Sequence, residues 1–259
     1  DQLCSFFFKI KYIIILNMEN SEILNDLAAV FRWTAKLNMH EGIANHFSIC
    51  APDSNEDFYI NGTGMHFSSI KASDLLLVEQ KNINETKKNP SLVDPTAINI
   101  HGTIHKKVPN AKCILHVHSK YATALSALKD PNLPPIDQNS MRFYNRVAVY
   151  SDFGGLGFEE ESKKMAACVG NNRIMLMANH GILTTGQTVA EAFDELYYFE
   201  RACETYLVAL STQKELKIVS DEVAEKTAQE WENYSTDMGS LHLKAIRSIL
   251  DKEDPSYKN

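Results

Sequence analysis

Three histidines are placed where they could hold one metal ion. His116 and His118 close the apolar run Lys112-Cys113-Ile114-Leu115-His116-Val117-His118. His180 follows a second such run in Leu176-Met177-Ala178-Asn179-His180-Gly181. Side chains alternate faces along a strand, so His116 and His118 point the same way. With His180 on the edge of a neighbouring strand, three imidazole nitrogens become available to a single divalent ion. Three protein ligands and an open position is the arrangement of a catalytic zinc rather than a structural one. Taken alone, the pattern also allows histidines kept for packing or capping.

The chain around them has 259 residues, 44% hydrophobic and 23% charged. That is the composition of an ordinary globular protein with room for a sizeable core. A formal net charge of -7, with no dense Lys/Arg block, argues against a nucleic-acid partner. Cys4, Cys50, Cys113, Cys168 and Cys203 are widely spaced, odd in number and form no C-x-x-C pair. They point to a reducing, cytoplasmic setting rather than to a disulfide framework. The apolar run from Leu3 to Leu16 carries Lys9 and Lys11 and is too short to span a bilayer at about 1.5 Å per residue. It has no small-residue cleavage site and precedes Met18, so residues 1–17 read as an extension outside the core and 18–259 as a single domain, with no membrane partner.

The elements that would position the histidines can be read from periodicity. Residues 21–38 place Leu24, Leu27, Ala28, Phe31 and Ala35 on one helical stripe. Residues 46–51 and 57–61 read as short strands, and Leu75-Leu76-Leu77-Val78 as a buried one. Asp94-Pro95 is a helix start, with Asp94 as N-cap, and the helix to about Lys107 sets His101 and His105 four apart on one face. A helix over 119–128, a strand over 147–150, a helix from Glu159 to about Gly170 and a strand over 173–179 follow. Thr188 and Glu191 form a capping box for a long helix whose core stripe runs from Val189 to Leu210. Polar-faced helices near 221–234 and 238–250 finish the chain. Strands interleaved with helices predict a three-layer α/β/α sandwich, and the consecutive early strands make its central sheet mixed and largely antiparallel.

From Glu41 to about Leu210 the chain resembles the class II aldolase/adducin domain family. The resemblance rests on Asn45-His46-Phe47-Ser48, Asn61-Gly62-Thr63-Gly64, Lys71-Ala72-Ser73-Asp74-Leu75, His101-x-x-x-His105, His116-Val117-His118, Asn179-His180-Gly181 and Glu200-x-x-Cys203, in the family's order. It implies that His116, His118 and His180 hold one divalent metal per subunit. Zinc is the first choice, with manganese, cobalt or iron as alternatives. The family's metal is a Lewis acid on a substrate carbonyl and its adjacent hydroxyl, and it stabilises an enolate as a carbon–carbon bond breaks. The resemblance also implies a homo-oligomer, a tetramer in much of the family.

The same resemblance exposes departures. The general acid/base glutamate of the sugar-phosphate aldolases is matched by Ala97, their proton-donating tyrosine by Gln138, and a phosphate-binding asparagine by His46. Alanine cannot move a proton and an amide is a poor acid, so neither usual proton carrier is present. His46, Thr63, Thr96 and Gln138 are expected to line the substrate pocket. His101 and His105 are expected to orient the metal ligands from behind, although the pair could also be a second metal site or an acid/base pair. The chain ends on Asp254-Pro255-Ser256-Tyr257-Lys258-Asn259, without the basic tail of animal adducins, which aligns it with stand-alone members. The reading is a metal-dependent lyase for a small hydroxy-carbonyl or carboxylated substrate other than a simple sugar phosphate. The competing one is a non-catalytic binding or scaffold protein that retains the metal.

Overall fold

The computed structural model describes residues 21–152, 154–156 and 158–259; the reading of residues 1–17 as an extension lies outside them. Among the described residues, seven strands make one sheet: β1 (His46–Cys50), β2 (Phe58–Asn61), β3 (Leu75–Val78), β4 (Cys113–Val117), β5 (Val147–Tyr150), β6 (Ile174–Met177) and β7 (Gly181–Gly186). Their spatial order is β3-β2-β1-β4-β7-β6-β5. Every neighbouring pair is antiparallel except β5 and β6. The helices are α1 (residues 21–36), α2 (Ile83–Lys87), α3 (Pro95–Lys107), α4 (Lys120–Ser126), α5 (Gln138–Arg142), α6 (Glu159–Val169), α7 (Val189–Ser211), α8 (Asp221–Glu232) and α9 (Met238–Glu253).

Strand alternation divides the core between two faces. Cys113, Leu115 and Val117 of β4 join Phe47 and Ile49 of β1 in a cluster with α1, α7 and α9. Ile114 turns the other way, into a second cluster with Ile100 and Ile104 of α3 and Met165 and Val169 of α6. Helices therefore cover both faces, giving the expected mixed α/β/α sandwich. β1 and β4 are buried along their whole length, so a register slip would drive polar side chains into the apolar cluster. On the first face, Phe31, Phe47 and Phe67 meet with ring centroids 4.6–4.8 Å apart. Such aromatic contacts contribute roughly 0.5–1.5 kcal/mol per pair beyond their buried area. No helix among the described residues is long and apolar enough to cross a membrane.

Several elements differ from the sequence reading. The strand expected over 173–179 stops at Met177, and His180 lies in the turn before β7. β7 was not anticipated: Gly181-Ile182-Leu183-Thr184-Thr185-Gly186 is bracketed by glycines and carries two threonines, yet it is buried throughout. The short α2 and α5 were also missed. β3 is an edge strand, and Leu77 on it is 48% exposed rather than buried. Leu210 is likewise exposed, because α7 outruns the sheet beneath it. Thr188 caps α7 by accepting from Glu191 N, but the Glu191 carboxylate reaches back to Gln187 N, one residue short of a full capping box.

One long-range cap fixes the chain just after His118. Ser119 begins α4 without capping it through its own side chain. Instead the buried Glu200 carboxylate of α7 accepts hydrogen bonds from Ser119 Oγ (2.6 Å), Tyr121 N (2.9 Å) and Ala122 N (2.9 Å). It satisfies two of the orphan donors of the helix start and ties α4 to α7. Glu200→Ala strips those donors of their acceptor, and we expect it to cost about 2–4 kcal/mol of stability. The fall in urea midpoint measures this. An unshifted midpoint would show that water replaces the carboxylate.

Candidate metal centre

His116, His118 and His180 form a near-equilateral triangle, with ring centroids 4.8–4.9 Å apart. One ligand nitrogen from each lies within 4.8 Å of the others. His116 is on β4, His118 follows that strand by one residue, and His180 reaches across from the β6–β7 turn. The turn needs an unusual backbone. Asn179 adopts φ +56°, a left-handed conformation that asparagine tolerates better than most residues. At Gly181 a side chain would place its Cβ 2.6 Å from the Val117 carbonyl oxygen, so only glycine lets β7 approach β4 this closely.

Two of the imidazoles have their tautomers set by their neighbours. His116 Nδ1–H donates to the Ile182 carbonyl at 2.9 Å, which leaves Nε2 bare. His118 Nδ1–H donates to the Glu41 carboxylate at 2.5 Å, a carboxylate–histidine arrangement common behind metal ligands. The bare Nε2 of His116 and the Nε2 of His118 then face each other at 3.1 Å. Two lone pairs at that distance repel unless a cation or a shared proton lies between them. Burial, followed by the neighbouring histidines, holds His116 well below the ordinary imidazole range, which disfavours the proton. A zinc–nitrogen bond of about 2.0–2.1 Å sets tetrahedral ligand nitrogens roughly 3.3 Å apart, close to the spacing observed. The donor set therefore fits a divalent ion with an open position.

Behind this triangle stands a second row of imidazoles. In the β1–β4 ladder His46 is paired with His116, and their rings are 4.9 Å apart. Asn61 secures the start of β1 by accepting from Phe47 N and donating to the Asn45 carbonyl. His46 Nδ1 lies 2.7 Å from His101 Nε2 on α3, and Ser48 Oγ stands between His101 and His105 at 2.5 and 2.7 Å. Burial pushes His46 down to about 3, although the nearby Asp94 carboxylate opposes it, and pushes His105 down to about 4. His180 is also pushed down to about 4, by burial and then by His118. His101 is held well below its ordinary value by burial and by His46.

The other residues expected to line the pocket have their own local contacts. Thr63 is exposed and donates its hydroxyl to the Pro90 carbonyl at 2.8 Å. Thr96 donates its hydroxyl to Asp94 at 2.7 Å, as part of the start of α3. Gln138 is the exposed first residue of α5. Ala97 is 1% exposed and packs in an apolar cluster with Phe58, Ile60 and Val93. Glu41 and Ser48 carry no local mark of their contacts: the loop before β1 brings Glu41 to His118, and the packing of α3 on β1 brings Ser48 to His101 and His105. Cys113 is pure packing, as its neighbours suggest.

Comparison with known proteins agrees with this geometry. The sequence profile of the Class II Aldolase and Adducin N-terminal domain matches residues 25–207. An aldolase II superfamily protein from Pseudomonas syringae superposes with a TM-score of 0.84 at 30% identity, covering 93% of this chain and 96% of that one. An L-fuculose 1-phosphate aldolase from Glaciozyma antarctica gives a TM-score of 0.80 at 25% identity, covering 94% of each chain. Decarboxylase NovR of Streptomyces niveus is 28% identical over 78% of this chain and 75% of its own length.

The suppressed histidines make stability depend on pH in one direction. Unfolded imidazoles take up protons near pH 6.5, whereas His105 and His180 do so near 4 in the fold. Metal-free protein is therefore fully stable above about pH 6.5 and loses stability as the pH falls from there towards 4. Each such histidine contributes a slope of up to about 1.4 kcal/mol per pH unit in that window. The urea midpoint of chelator-treated protein should fall steadily from pH 7 to pH 5. A flat profile would mean that water reaches these rings.

Proposed function

The chain belongs to the class II aldolase and adducin N-terminal domain family, and from that footing we propose that it is a divalent-metal-dependent carbon–carbon lyase of the aldolase or decarboxylase type. Its substrate is a small hydroxy-carbonyl or carboxylated molecule. The observation that carries this reading is the convergence of the Nε2 atoms of His116 and His118, 3.1 Å apart, with His180 closing the triangle. Zinc is the first candidate, and manganese, cobalt or iron suit the same imidazoles. When bound, such an ion supplies a Lewis acid for a substrate carbonyl and its neighbouring hydroxyl.

The protein's own groups define the rest of the chemistry. Ile182 O and the Glu41 carboxylate hold the Nδ1 protons of His116 and His118 and so aim both Nε2 atoms at one point. Glu200 anchors the backbone directly after His118. Ala97, sealed in an apolar cluster, carries no proton, and the suppressed His46 offers a lone pair rather than a charge. That environment favours an uncharged hydroxyl over a phosphate and sets this protein apart from the sugar-phosphate aldolases. Assembly as a homo-oligomer belongs to the same proposal.

Metal analysis is the first test. Purified protein should carry about one divalent ion per chain, and His118→Ala should lose it, because two imidazoles hold zinc far more weakly than three. Retention by the variant would refute the ligand set. Turnover of any aldol, retro-aldol or decarboxylation substrate, abolished by chelation, supports the lyase. A metal-replete protein silent across such a panel would replace it with the binding-protein reading, to which the buried Ala97 already lends weight.

A further inference from the structure

The second row of imidazoles has a property that follows from valence alone. The Ala111 carbonyl can only accept, and it lies 2.7 Å from His105 Nδ1, so that nitrogen carries the proton. Cys50 Sγ, at 3.2 Å, shares the same N–H. A neutral His105 then has a bare Nε2, and the single hydroxyl hydrogen of Ser48 must point to it. With that hydrogen committed, Ser48 Oγ accepts from His101 Nδ1–H, which leaves His101 Nε2 bare. His46 Nδ1 must in turn donate to His101 Nε2, and His46 Nε2 is left with a lone pair and no proton. One backbone carbonyl thus dictates the tautomers of three rings in succession.

The fold is arranged to hold this row. His46, Ser48 and Cys50 are alternate residues of β1 and share the face that meets α3, while His101 and His105 are one turn apart on that helix. His46, His101, His105 and Ser48 are all buried, so bulk water does not compete for their hydrogen bonds. Phe58, fully buried, covers His105 with ring centroids 5.0 Å apart. The row begins at Ala111 in the loop before β4 and ends beside His116, about 16 Å away along the strand at roughly 3.3 Å per residue.

We propose that Ser48, His101 and His105 are positioning residues that lock His46 as its Nδ1–H tautomer, so that His46 Nε2 acts as an obligatory hydrogen-bond acceptor beside the metal triangle. The substrate group it takes is a donor, a hydroxyl, and it disfavours a phosphate oxygen, which would meet lone pair with lone pair. The tautomer relay stands on the hydrogen bonds above; its use on a substrate rests on the proposed lyase function.

Nitrogen-15 NMR of labelled protein reads the tautomers directly, with and without zinc. In the wild type, His46, His101 and His105 should each show a protonated Nδ1 and an unprotonated Nε2. Ser48→Ala should leave His105 in that state while His46 and His101 become tautomer mixtures, and Ser48→Thr, which keeps the hydroxyl, should restore them. Zinc content should be the same in all three proteins. A wild-type His46 protonated at Nε2, or a Ser48→Ala spectrum identical to wild type at His46, overturns the relay, and the wild-type measurement decides even if the alanine variant does not fold. Calorimetry with zinc-loaded protein tests the acceptor role: glycolate should bind at least roughly ten-fold tighter than phosphoglycolate, and the reverse order overturns it. Failure to take up zinc, manganese, cobalt or iron would instead refute the lyase reading and leave the NMR result standing.

Discussion

The register that sets His46 opposite His116 is the constraint on which the rest of this site depends. Alternation then sends His46, Ser48 and Cys50 to one face of β1 and His116 and His118 to the same face of the sheet. The opposite parity, Phe47, Ile49, Leu115 and Val117, fills the core beneath α1 and α7. A shift of one residue would exchange these sets, burying imidazoles among phenylalanines. Polar and apolar faces of two adjacent strands thus enforce one another. The chemistry of the site and the stability of the core are specified by the same pairing.

How much of this could be read from the chain depends on whether the signal was local. α3 was legible to the residue because Asp94 and Pro95 mark its start by their own side chains, and β5 stood out as a short β-branched run between turn residues. The clustering of His116, His118 and His180 was legible through their spacing and order. β7 was not, because Thr184 and Thr185 read as polar, whereas Thr184 donates to a carbonyl of α7 and so sits buried without penalty. Glu200 was noticed only as part of a motif; its role as a cap for a helix 80 residues earlier exists only in three dimensions. The contacts of Glu41 and Ser48 exist only once the loop before β1 and helix α3 have packed against the histidines.

The site also shows two ways of managing a buried imidazole. One group of rings, His116 and His118, has its Nδ1 protons tied to fixed acceptors so that the second nitrogens converge. The other group, His46, His101 and His105, passes a single orientation from ring to ring through Ser48. Both avoid the penalty of an unpaired buried polar group, and burial disfavours the charged form of His116, His46, His101 and His105. Neutral imidazole is the form that coordinates metals, so the apolar packing around the site favours the form that the proposed metal would need.

The contacts that orient the triangle join residues far apart in the chain: 66 positions separate His116 from Ile182, and 77 separate His118 from Glu41. Loop closure over such spans is a late and slow part of chain collapse, since its entropy is lost before the contacts it permits are made. The triangle therefore has no counterpart in any local fragment, and a nascent chain lacks it until β7 has been synthesised and has closed against β4. An ion that recognises the finished triangle acts as a latch on the completed fold and not as a seed for it, lengthening the lifetime of the native protein without hastening its birth.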